Sequence, residues 1–186
     1  RFGVDTSPLA VALGDLDRDG HADVVTLNEY NATLSVRLGQ VPRAFGAPAT
    51  YAVPVYPGGV VLGDLNQDTF TDVLVAASGT LSFFPGDGAG HLGARVDRAV
   101  TGGLRSPVLA DLDQDGRADL VVADGANSRV LVLLGNGAGG FGPPAALATP
   151  SATYAVRVVD LDGDGRPDLA AANNGAGSLS IFRGTG

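Results

Sequence analysis

The stretch "DLDQDGRADL", residues 111–120, crowds four aspartates and one glycine into a single short segment. Counted from Asp111, the aspartates lie at loop positions 1, 3, 5 and 9, and Gly116 lies at position 6. Two carboxylates about 4 Å apart repel each other by roughly 4 kcal/mol at an effective dielectric constant of about 20. This repulsion is unfavourable unless a cation lies among the side chains. The segment therefore predicts a metal-binding loop, although a single such segment would also fit a solvated acidic turn.

The donor atoms indicate which cation such a loop binds. Alternate residues of a tight loop can turn their side chains inward, while the glycine adopts the positive φ that reverses the chain. All of these donors are oxygens, which favours Ca²⁺ over Mg²⁺, because Mg²⁺ usually retains several waters. A zinc site is a poor alternative, since the chain offers only His21 and His91 as imidazole ligands and has no cysteine.

The loop is repeated four times. The other copies are "GDLDRDGHAD" (14–23), "GDLNQDTFTD" (63–72) and "VDLDGDGRPD" (159–168). The first aspartates of the four copies, Asp15, Asp64, Asp111 and Asp160, are separated by 49, 47 and 49 residues. A period of about 20 to 50 residues is typical of stacked supersecondary units. The regular spacing excludes a chance match and favours four bound Ca²⁺ ions over four acidic turns.

EF-hands and dockerin modules also carry aspartate-rich loops of this kind, but they need an acidic side chain at position 12 and flanking helices. Position 12 is occupied here by residues that lack a carboxylate: Thr26, Val75, Val122 and Ala171. The flanking segments have the pattern of strands. The sequence therefore excludes both of these families.

Charge and composition narrow the possible functions. The chain has 186 residues and a net charge of −8, yet 15 of its 20 acidic residues lie in the four loops, leaving five against 12 Lys and Arg. Those basic residues are scattered singly, so no nucleic-acid-binding patch is predicted. No run of 18 apolar residues could insert into a membrane. The chain begins at Arg1 without a Met, so we expect a mature product or a piece of a longer protein.

The segments between the loops have the pattern of β-strands. An apolar run enters each loop and another leaves it, a third follows a short turn, and a fourth, less regular run follows a Gly-rich turn. Four short strands in about 48 residues predict a propeller blade. We expect an all-β fold of four four-stranded antiparallel blades in one domain, with limits near 9–54, 55–101, 102–150 and 151–186. Most phenylalanines are expected to pack between blades: Phe2, Phe45, Phe83, Phe84, Phe141 and Phe182.

The amino end indicates that one blade is split. In each inner repeat, 18 positions separate the Phe or Leu at the start of the fourth-strand segment from the residue before the next acidic loop, as between Phe45 and Gly63. At the amino end only 12 positions separate the corresponding residues, Phe2 and Gly14. Residues 1–8 are therefore predicted to be the tail of the fourth strand of the last blade. This favours a piece of a longer propeller, or a half that pairs with another, over a closed ring of four blades.

These motifs resemble the FG-GAP or VCBS repeat family. The matching stretches are "LGDLDRDGHADVV" (13–25), "VLLGNGAGGFGPPA" (132–145) and "FGAP" (45–48). The family includes the calcium-loop blades of integrin α-subunit propellers and of many secreted proteins, usually with seven or eight blades. The resemblance implies calcium-stabilised blades that serve in adhesion, glycan binding or domain scaffolding.

The resemblance also implies the calcium ligands. They are side chains at loop positions 1, 3, 5 and 9 and the backbone carbonyl at position 7. In the four loops these are Asp15, Asp17, Asp19, His21 and Asp23; Asp64, Asn66, Asp68, Phe70 and Asp72; Asp111, Asp113, Asp115, Arg117 and Asp119; Asp160, Asp162, Asp164, Arg166 and Asp168. The second site is expected to bind most weakly, because Asn66 is neutral and Thr69 replaces the loop glycine.

For function we expect a non-catalytic binding module for a protein or a glycan. The chain has no nucleophile elbow, Walker loop or dinucleotide-binding GxGxxG in a fitting context, and the paired carboxylates are accounted for as calcium ligands. Two alternatives remain open: an accessory propeller of a larger secreted polysaccharide-active enzyme, and a self-assembling structural repeat that forms homo-oligomers. Because loops of this type need free Ca²⁺ above cytosolic levels, we expect an extracellular or cell-surface location.

The turns between second and third strands are candidate ligand contacts. They are "NEYNA" (28–32), "ASG" (77–79), "DGANS" (124–128) and "NNGAG" (173–177), where polar side chains could bind sugar hydroxyls and Tyr30 could stack on a ring. The alternative is that Asn and Gly serve only as turn residues, and the absence of Trp argues against a strong lectin. Asn31 begins an N-glycosylation sequon, which is either used in a eukaryotic secretory pathway or accidental.

Overall fold

A computed structural model describes residues 2–41 and 44–185 of the chain. The first blade is an antiparallel sheet in the order β1-β2-β3-β6, with a small two-stranded sheet, β4-β5, beside it. The bounds are β1 Pro8–Gly14, β2 Asp23–Asn28, β3 Thr33–Arg37, β4 Gly39–Gln40, β5 Ala44–Phe45 and β6 Ala49–Ala52. Within the described ranges, no helix has the length and apolar character needed to cross a membrane.

The second and third blades share one six-stranded sheet in the order β12-β11-β10-β9-β8-β7. The bounds are β7 Pro57–Gly63, β8 Asp72–Phe84, β9 Val96–Ala110, β10 Asp119–Asp124, β11 Arg129–Leu133 and β12 Ala145–Ala148. The strand β9 serves both blades, because Val96 to Gly103 pair with β8 and Leu104 to Ala110 pair with β10. The predicted limit between residues 101 and 102 falls inside this strand, beside Gly102 with its φ of 146°. The division into blades at set residues stays a prediction.

The last sheet has the order β13-β14-β15. Its strands are β13 Thr153–Val159, β14 Asp168–Asn173 and β15 Ser178–Phe182, and a short 3₁₀ turn, Asn174–Ala176, joins the last two. The all-β class of propeller-type blades is confirmed, but the last sheet has three strands in the described residues where four were predicted. Residues 2–7 form no strand. Instead, Asp5 Oδ2 accepts a hydrogen bond of 2.7 Å from Thr33 Oγ1 in the first blade. The assignment of residues 1–8 to a split strand stays a prediction.

The hydrophobic core consists of three layers, one between each pair of neighbouring blades. Strand alternation explains this arrangement, since successive side chains point to opposite faces of a sheet. Each second strand begins with the ninth-position aspartate of its loop, as β2 begins with Asp23. Side chains two and four places after this aspartate face the following blade: Val25 and Leu27, Leu74 and Ala76, and Val121. Those one and three places after it face the preceding blade: Val73 and Val75, Leu120 and Val122, and Leu169 and Ala171.

The aromatic side chains follow this layering in part. Phe84 is buried between the first and second blades. Phe83 and Phe141 pack against the layer between the second and third, and Phe182 packs against the layer between the third and fourth. Phe2 and Phe45 instead pack edge to face on each other, with ring centroids 5.1 Å apart.

Candidate metal centres

Each acidic loop connects the first strand of a blade to the second, and its ninth-position aspartate is the first residue of the second strand. These four aspartates, Asp23, Asp72, Asp119 and Asp168, are buried. In the first loop, Asp23 Oδ2 accepts a hydrogen bond of 2.6 Å from the Leu16 amide, and Oδ1 accepts one of 2.7 Å from the Gly39 amide beyond β3. The same two bonds recur in every loop. The ninth position thus ties each loop to the end of the third strand. In the first three loops each of these oxygens keeps a further lone pair for a cation.

The first-position aspartates stabilise the chain reversal at position 6 of each loop. Their Oδ2 atoms accept hydrogen bonds from the amides at position 6, those of Gly20, Thr69, Gly116 and Gly165, at 3.0, 2.9, 2.9 and 2.9 Å. The φ angles at this position lie between 72° and 84° in all four loops. The positive φ predicted for the loop glycine is therefore confirmed, and Thr69 adopts it at 72° despite its β-branched side chain.

Three of the four loops bring carboxylates together. One carboxylate oxygen from each member of three groups lies within 4.8 Å of the others: Asp15, Asp17 and Asp19; Asp111, Asp113 and Asp115; Asp160, Asp162 and Asp168. In the first group, Oδ1 of Asp15 is buried and has no hydrogen-bond partner among the described residues. A buried anionic oxygen without a partner is strongly unfavourable. A hard cation would satisfy it, so the residues present fit calcium.

The pKa directions in the loops have two physical causes. Burial, with the neighbouring Asp23, Asp19 and Asp15 charges, raises the pKa of Asp17 above its usual value. Burial likewise raises the pKa of Asp72 and of Asp119, against the opposing effect of their two backbone hydrogen bonds. A cation among these groups would reverse the mutual repulsion.

In the fourth loop a basic side chain from beyond the third strand reaches two of the aspartates, whereas in the third loop Arg117, from the loop itself, pairs with Asp115 at 3.2 Å. Arg183 Nη1 lies 2.7 Å from Asp162 Oδ2 and 3.1 Å from Asp168 Oδ2. The pKa of Asp168 is lowered, by the amide of Gly184 first and with a contribution from Arg183. The sequence pattern missed Arg183, because it lies two strands beyond the loop in the chain.

The second loop departs from the others as its sequence suggests. Asn66 Nδ2 donates a hydrogen bond of 2.7 Å to Asp68 Oδ2, so a neutral amide stands where the other loops have a carboxylate. Among the described residues, the three-carboxylate groups come from the first, third and fourth loops.

The seventh position of each loop was predicted to supply a ligand through its carbonyl oxygen. The amides at this position donate to the carboxylates at position 5: His21 to Asp19, Phe70 to Asp68, Arg117 to Asp115 and Arg166 to Asp164, at 2.8 to 2.9 Å. The His21 ring lies beside Asp19, with Nδ1 3.1 Å from Oδ1. The complete set of ligands stays a prediction.

The side chains at position 4 contact the neighbouring loop, a role that the sequence did not predict. Arg18 Nη2 donates to Thr69 Oγ1 at 3.3 Å, Gln67 Nε2 to Gly116 O at 3.5 Å, and Gln114 Nε2 to Gly165 O at 3.2 Å. Each contact joins position 4 of one loop to position 6 of the next. Arg18, Gln67 and Gln114 have φ of 61° to 62°. The fourth loop has a glycine, Gly163, at this position, and that glycine was the one sign in the sequence that position 4 adopts a positive φ.

The opposite end of the blades carries the turns predicted as ligand contacts. Asn28, Asp124 and Asn173 are buried, and they hydrogen-bond to their own hairpins, as Asn28 Nδ2 does to Ser35 Oγ at 3.0 Å. These three are structural residues. Tyr30 is exposed, and Asn31 Nδ2 donates to Asp5 Oδ1 at 2.6 Å.

Glu29 and Ser78 line a cavity of about 660 Å³ at this end. The walls come from the first strands of all four blades, and neighbouring first strands contact one another. Arg105, Arg157 and Tyr154 line it as well, and the sequence patterns predicted none of the three.

Solved structures with the same fold have low sequence identity to this chain. A lectin from Agrocybe aegerita that recognises non-reducing terminal N-acetylglucosamine has a TM-score of 0.66 and 20% identity, over 95% of this chain and 52% of its own. BBS1N, solved in complex with ARL6DN, has a TM-score of 0.65 and 14% identity, over 97% of this chain and 58% of its own. A functionally unknown protein from Desulfotomaculum acetoxidans has a TM-score of 0.60 and 18% identity, over 97% of this chain and 56% of its own.

The chain thus spans between 52% and 58% of the length of these three chains, and at such identities the likeness concerns the fold alone. Comparison with curated protein sequences gave no match. The model of the FG-GAP-like repeat matches three overlapping segments, 15–75, 64–122 and 111–171, each running from one acidic loop to just beyond the next. With its four loops and propeller-type blades, the chain belongs to the FG-GAP-like repeat family.

Proposed function

We propose that this chain is a non-catalytic binding module whose blades are stabilised by Ca²⁺ at the four acidic loops. The observation that carries this proposal is the grouping of three carboxylates within 4.8 Å in the first, third and fourth loops. Bound Ca²⁺ would neutralise these charges and hold the loop oxygens in one arrangement. The ninth-position aspartates would link the ordered loop to the end of the third strand through their hydrogen bonds. Asp119 Oδ1, for example, accepts one of 2.7 Å from the Gly135 amide.

The acidic residues suit a structural role better than a catalytic one. Each loop uses its carboxylates to bind its own backbone, as Asp111 binds the amides of Asp115 and Gly116 at 3.0 and 2.9 Å. A general acid or nucleophile must instead be free to reach a substrate. The matching family model describes a repeat, and one solved structure with a similar fold is a lectin. Binding at the end opposite to the loops is therefore the function that the geometry favours.

The proposed location is outside the cell. Loops of this type in extracellular modules bind Ca²⁺ with dissociation constants of about 10⁻⁴ to 10⁻³ M. Free calcium reaches such levels outside the cell and not in the cytosol. Submicromolar affinity at every loop, measured by calorimetry, would remove this argument.

The two terminal blades support a proposal on assembly. Leu179 and Ile181, 64% and 44% exposed, pair with Ala172 and Ala170 in the last sheet. In the first blade the equivalent residues, Leu34 and Val36, pair with Leu27 and Val25 and are buried under the second blade. The last blade thus presents the face that elsewhere receives the next blade.

The first blade presents the complementary face. Val11 and Leu13 are exposed, whereas their equivalents in the second blade, Val60 and Leu62, pack against the layer between blades. We infer that further blades complete a ring of about eight, supplied either by a second copy of this chain or by more of a parent protein. The repeated geometry of the three existing layers supports this inference.

Thermal unfolding tests the calcium proposal. Because Ca²⁺ binds only the folded loops, it should stabilise the chain by RT ln(1 + [Ca²⁺]/Kd) per site, about 2.7 kcal/mol at one hundred times Kd. Scanning calorimetry in millimolar Ca²⁺ and in EDTA should therefore give a higher Tm with calcium, and Mg²⁺ at the same concentration should have a smaller effect. Identical melting curves in Ca²⁺ and EDTA would show that the loops are metal-free structural turns.

A further inference from the structure

The cavity at the end opposite to the acidic loops combines cationic and aromatic side chains. Its volume is about 660 Å³, and its lining includes Arg105, Arg157, Tyr56 and Tyr154. We propose that this cavity binds an acidic sugar residue of a glycan, with the sugar carboxylate held between Arg105 and Arg157. This inference rests on the proposed binding function and names its ligand class.

The two arginines are the first reason. Both belong to first strands, β9 and β13, and neither forms an ion pair with a carboxylate among the described residues. The guanidinium of Arg105 lies over the Tyr154 ring, with Cζ 4.9 Å from the ring centroid. Its Nε is buried and has no hydrogen-bond partner among residues 2–41 and 44–185. Since it has no carboxylate partner in the described part of the chain, the guanidinium is available to an acceptor that enters the cavity.

Arg157 is held in place by the neighbouring strand. Its Nη1 donates to the Val156 carbonyl at 2.7 Å and to Ser106 Oγ at 3.3 Å. Ser106 adopts a φ of 50°, and its hydroxyl also accepts a hydrogen bond of 3.4 Å from the Val156 amide. Ser106 is therefore a positioning residue for Arg157. A guanidinium positioned in this way keeps other N–H groups for a carboxylate, which it can bind through two parallel bonds.

The tyrosines are the second reason, and they favour a sugar over a small anion. Tyr56 and Tyr154 are 75% and 58% exposed, whereas tyrosine is intermediate in burial on average. Exposed rings at a cavity wall offer flat apolar surfaces to the C–H faces of a sugar, while their hydroxyls and the Ser78 hydroxyl offer hydrogen bonds to sugar hydroxyls. The cavity is large enough for a disaccharide, since drug-sized ligands occupy about 300 to 1,000 Å³.

Glu29 lies in the wall formed by the first blade and carries the one acidic side chain among the described lining residues. It would accept hydrogen bonds from sugar hydroxyls but would repel the sugar carboxylate at longer range. This opposition makes Glu29 a useful test, because its neutral analogue should bind the acidic sugar more tightly.

Binding of two matched probes tests the inference. The probes are a glucuronic acid–containing disaccharide and the corresponding glucose disaccharide, titrated into the full chain in Ca²⁺ and followed by calorimetry. We expect the acidic disaccharide to bind at least tenfold more tightly. Arg105→Gln and Arg157→Gln should each weaken its binding about tenfold, the scale of a lost charge-assisted hydrogen bond. Both should leave the neutral disaccharide unaffected, and Glu29→Gln should strengthen acidic binding.

Arg95→Gln is the matched control, because Arg95 lies outside the cavity and pairs with Asp97. It should leave both affinities unchanged. A calcium-dependent Tm equal to that of the wild type checks that each variant is folded. Equal affinity for the two probes, no binding of the acidic probe, or unchanged binding in both arginine variants would overturn the inference. The calcium-dependent Tm and a neutral ligand found on a glycan array would still support the proposed function in that event.

Discussion

Arg183 Nη1 lies 2.7 Å from Asp162 Oδ2, which places a fixed positive charge inside the fourth acidic loop. Arg183 directly follows Phe182, the β15 residue that pairs with Leu169. In the first and third blades the equivalent positions are Leu38 and Leu134, which carry no charge. The four loops therefore share one backbone design but differ in the charge that a calcium ion would meet.

Arg183→Gln should raise the calcium affinity of the fourth loop about two- to fivefold, because the competing Arg183–Asp162 pair is exposed and such a pair is worth roughly 0.2 to 1 kcal/mol. The affinity of this loop is measured by an NMR titration that follows the Gly165 and Gly184 amides. The Gly116 amide reports the third loop in the same titration and should be unaffected. An unchanged affinity at the fourth loop would contradict the competition.

The second loop should bind Ca²⁺ most weakly, because Asn66 contributes no charge and already donates to Asp68. In a titration with EDTA, the Thr69 amide should change before the Gly20, Gly116 and Gly165 amides. Asp113→Ala should also lower the Tm in Ca²⁺ by more than Asn66→Ala does. Equal losses from the two substitutions would be inconsistent with this ranking.

Thr69→Gly should stabilise the chain by up to about 1 kcal/mol in EDTA, since a β-branched residue at a φ of 72° is strained. The loss of the weak Arg18–Thr69 hydrogen bond and the greater freedom of glycine in the unfolded chain offset part of this gain. Urea unfolding measures the change. Thr80→Gly is the control: Thr80 lies within β8, so its loss should be destabilising. Destabilisation by Thr69→Gly would show that the loop tolerates threonine without strain.

Asp124 should make part of the stability depend on pH. Burial raises its pKa, but hydrogen bonds from Asn127, Arg129 and Gly103 outweigh burial and lower the pKa below 3.8. A lowered folded pKa means that the stabilisation is complete above about pH 5 and is lost as the pH falls through 3.8 towards the folded value.

Asp124→Asn tests this dependence. It should cost roughly 1 to 3 kcal/mol near neutral pH, because Arg129 loses its partner at 2.8 Å. The difference in free energy of unfolding between wild type and variant, measured in EDTA, should shrink as the pH is lowered from 6 to about 3. Since both proteins contain the same loop carboxylates, the difference isolates Asp124. A difference that stays constant with pH would contradict the assignment.

Assembly should depend on the exposed face of the last blade. If that face receives another blade, the chain with Ca²⁺ should self-associate at high concentration, and Leu179→Lys and Ile181→Lys should reduce the association. Light scattering measures the mass. Val55→Lys, also at an exposed apolar residue but outside this face, serves as the control. A monomer at all concentrations would favour closure of the four blades or completion by more of a parent protein.

The amino-acid sequence by itself determined the repeat, the strand class and the acidic loops. These features depend on residues close together in the chain: alternate aspartates, a loop residue with positive φ, and apolar runs on each side. Thr69 shows how local this information is, since the loop keeps its φ near 72° even without the glycine. The blades pack on both faces because apolar residues occupy both sides of the second strands, a pattern that is also local.

Only the tertiary structure decided which distant residues meet. Gln114 reaches Gly165, 51 residues away, and Arg183 enters the fourth loop because β15 returns beside β14. Arg105 meets Tyr154 because the first strands of neighbouring blades contact each other, which brings two blades to one cavity. Such contacts depend on how blades stack and twist, and a local pattern contains no information on that geometry. The same reason explains why polar turn residues such as Asp124 proved to be buried structural groups, while the cavity beside them was not predicted.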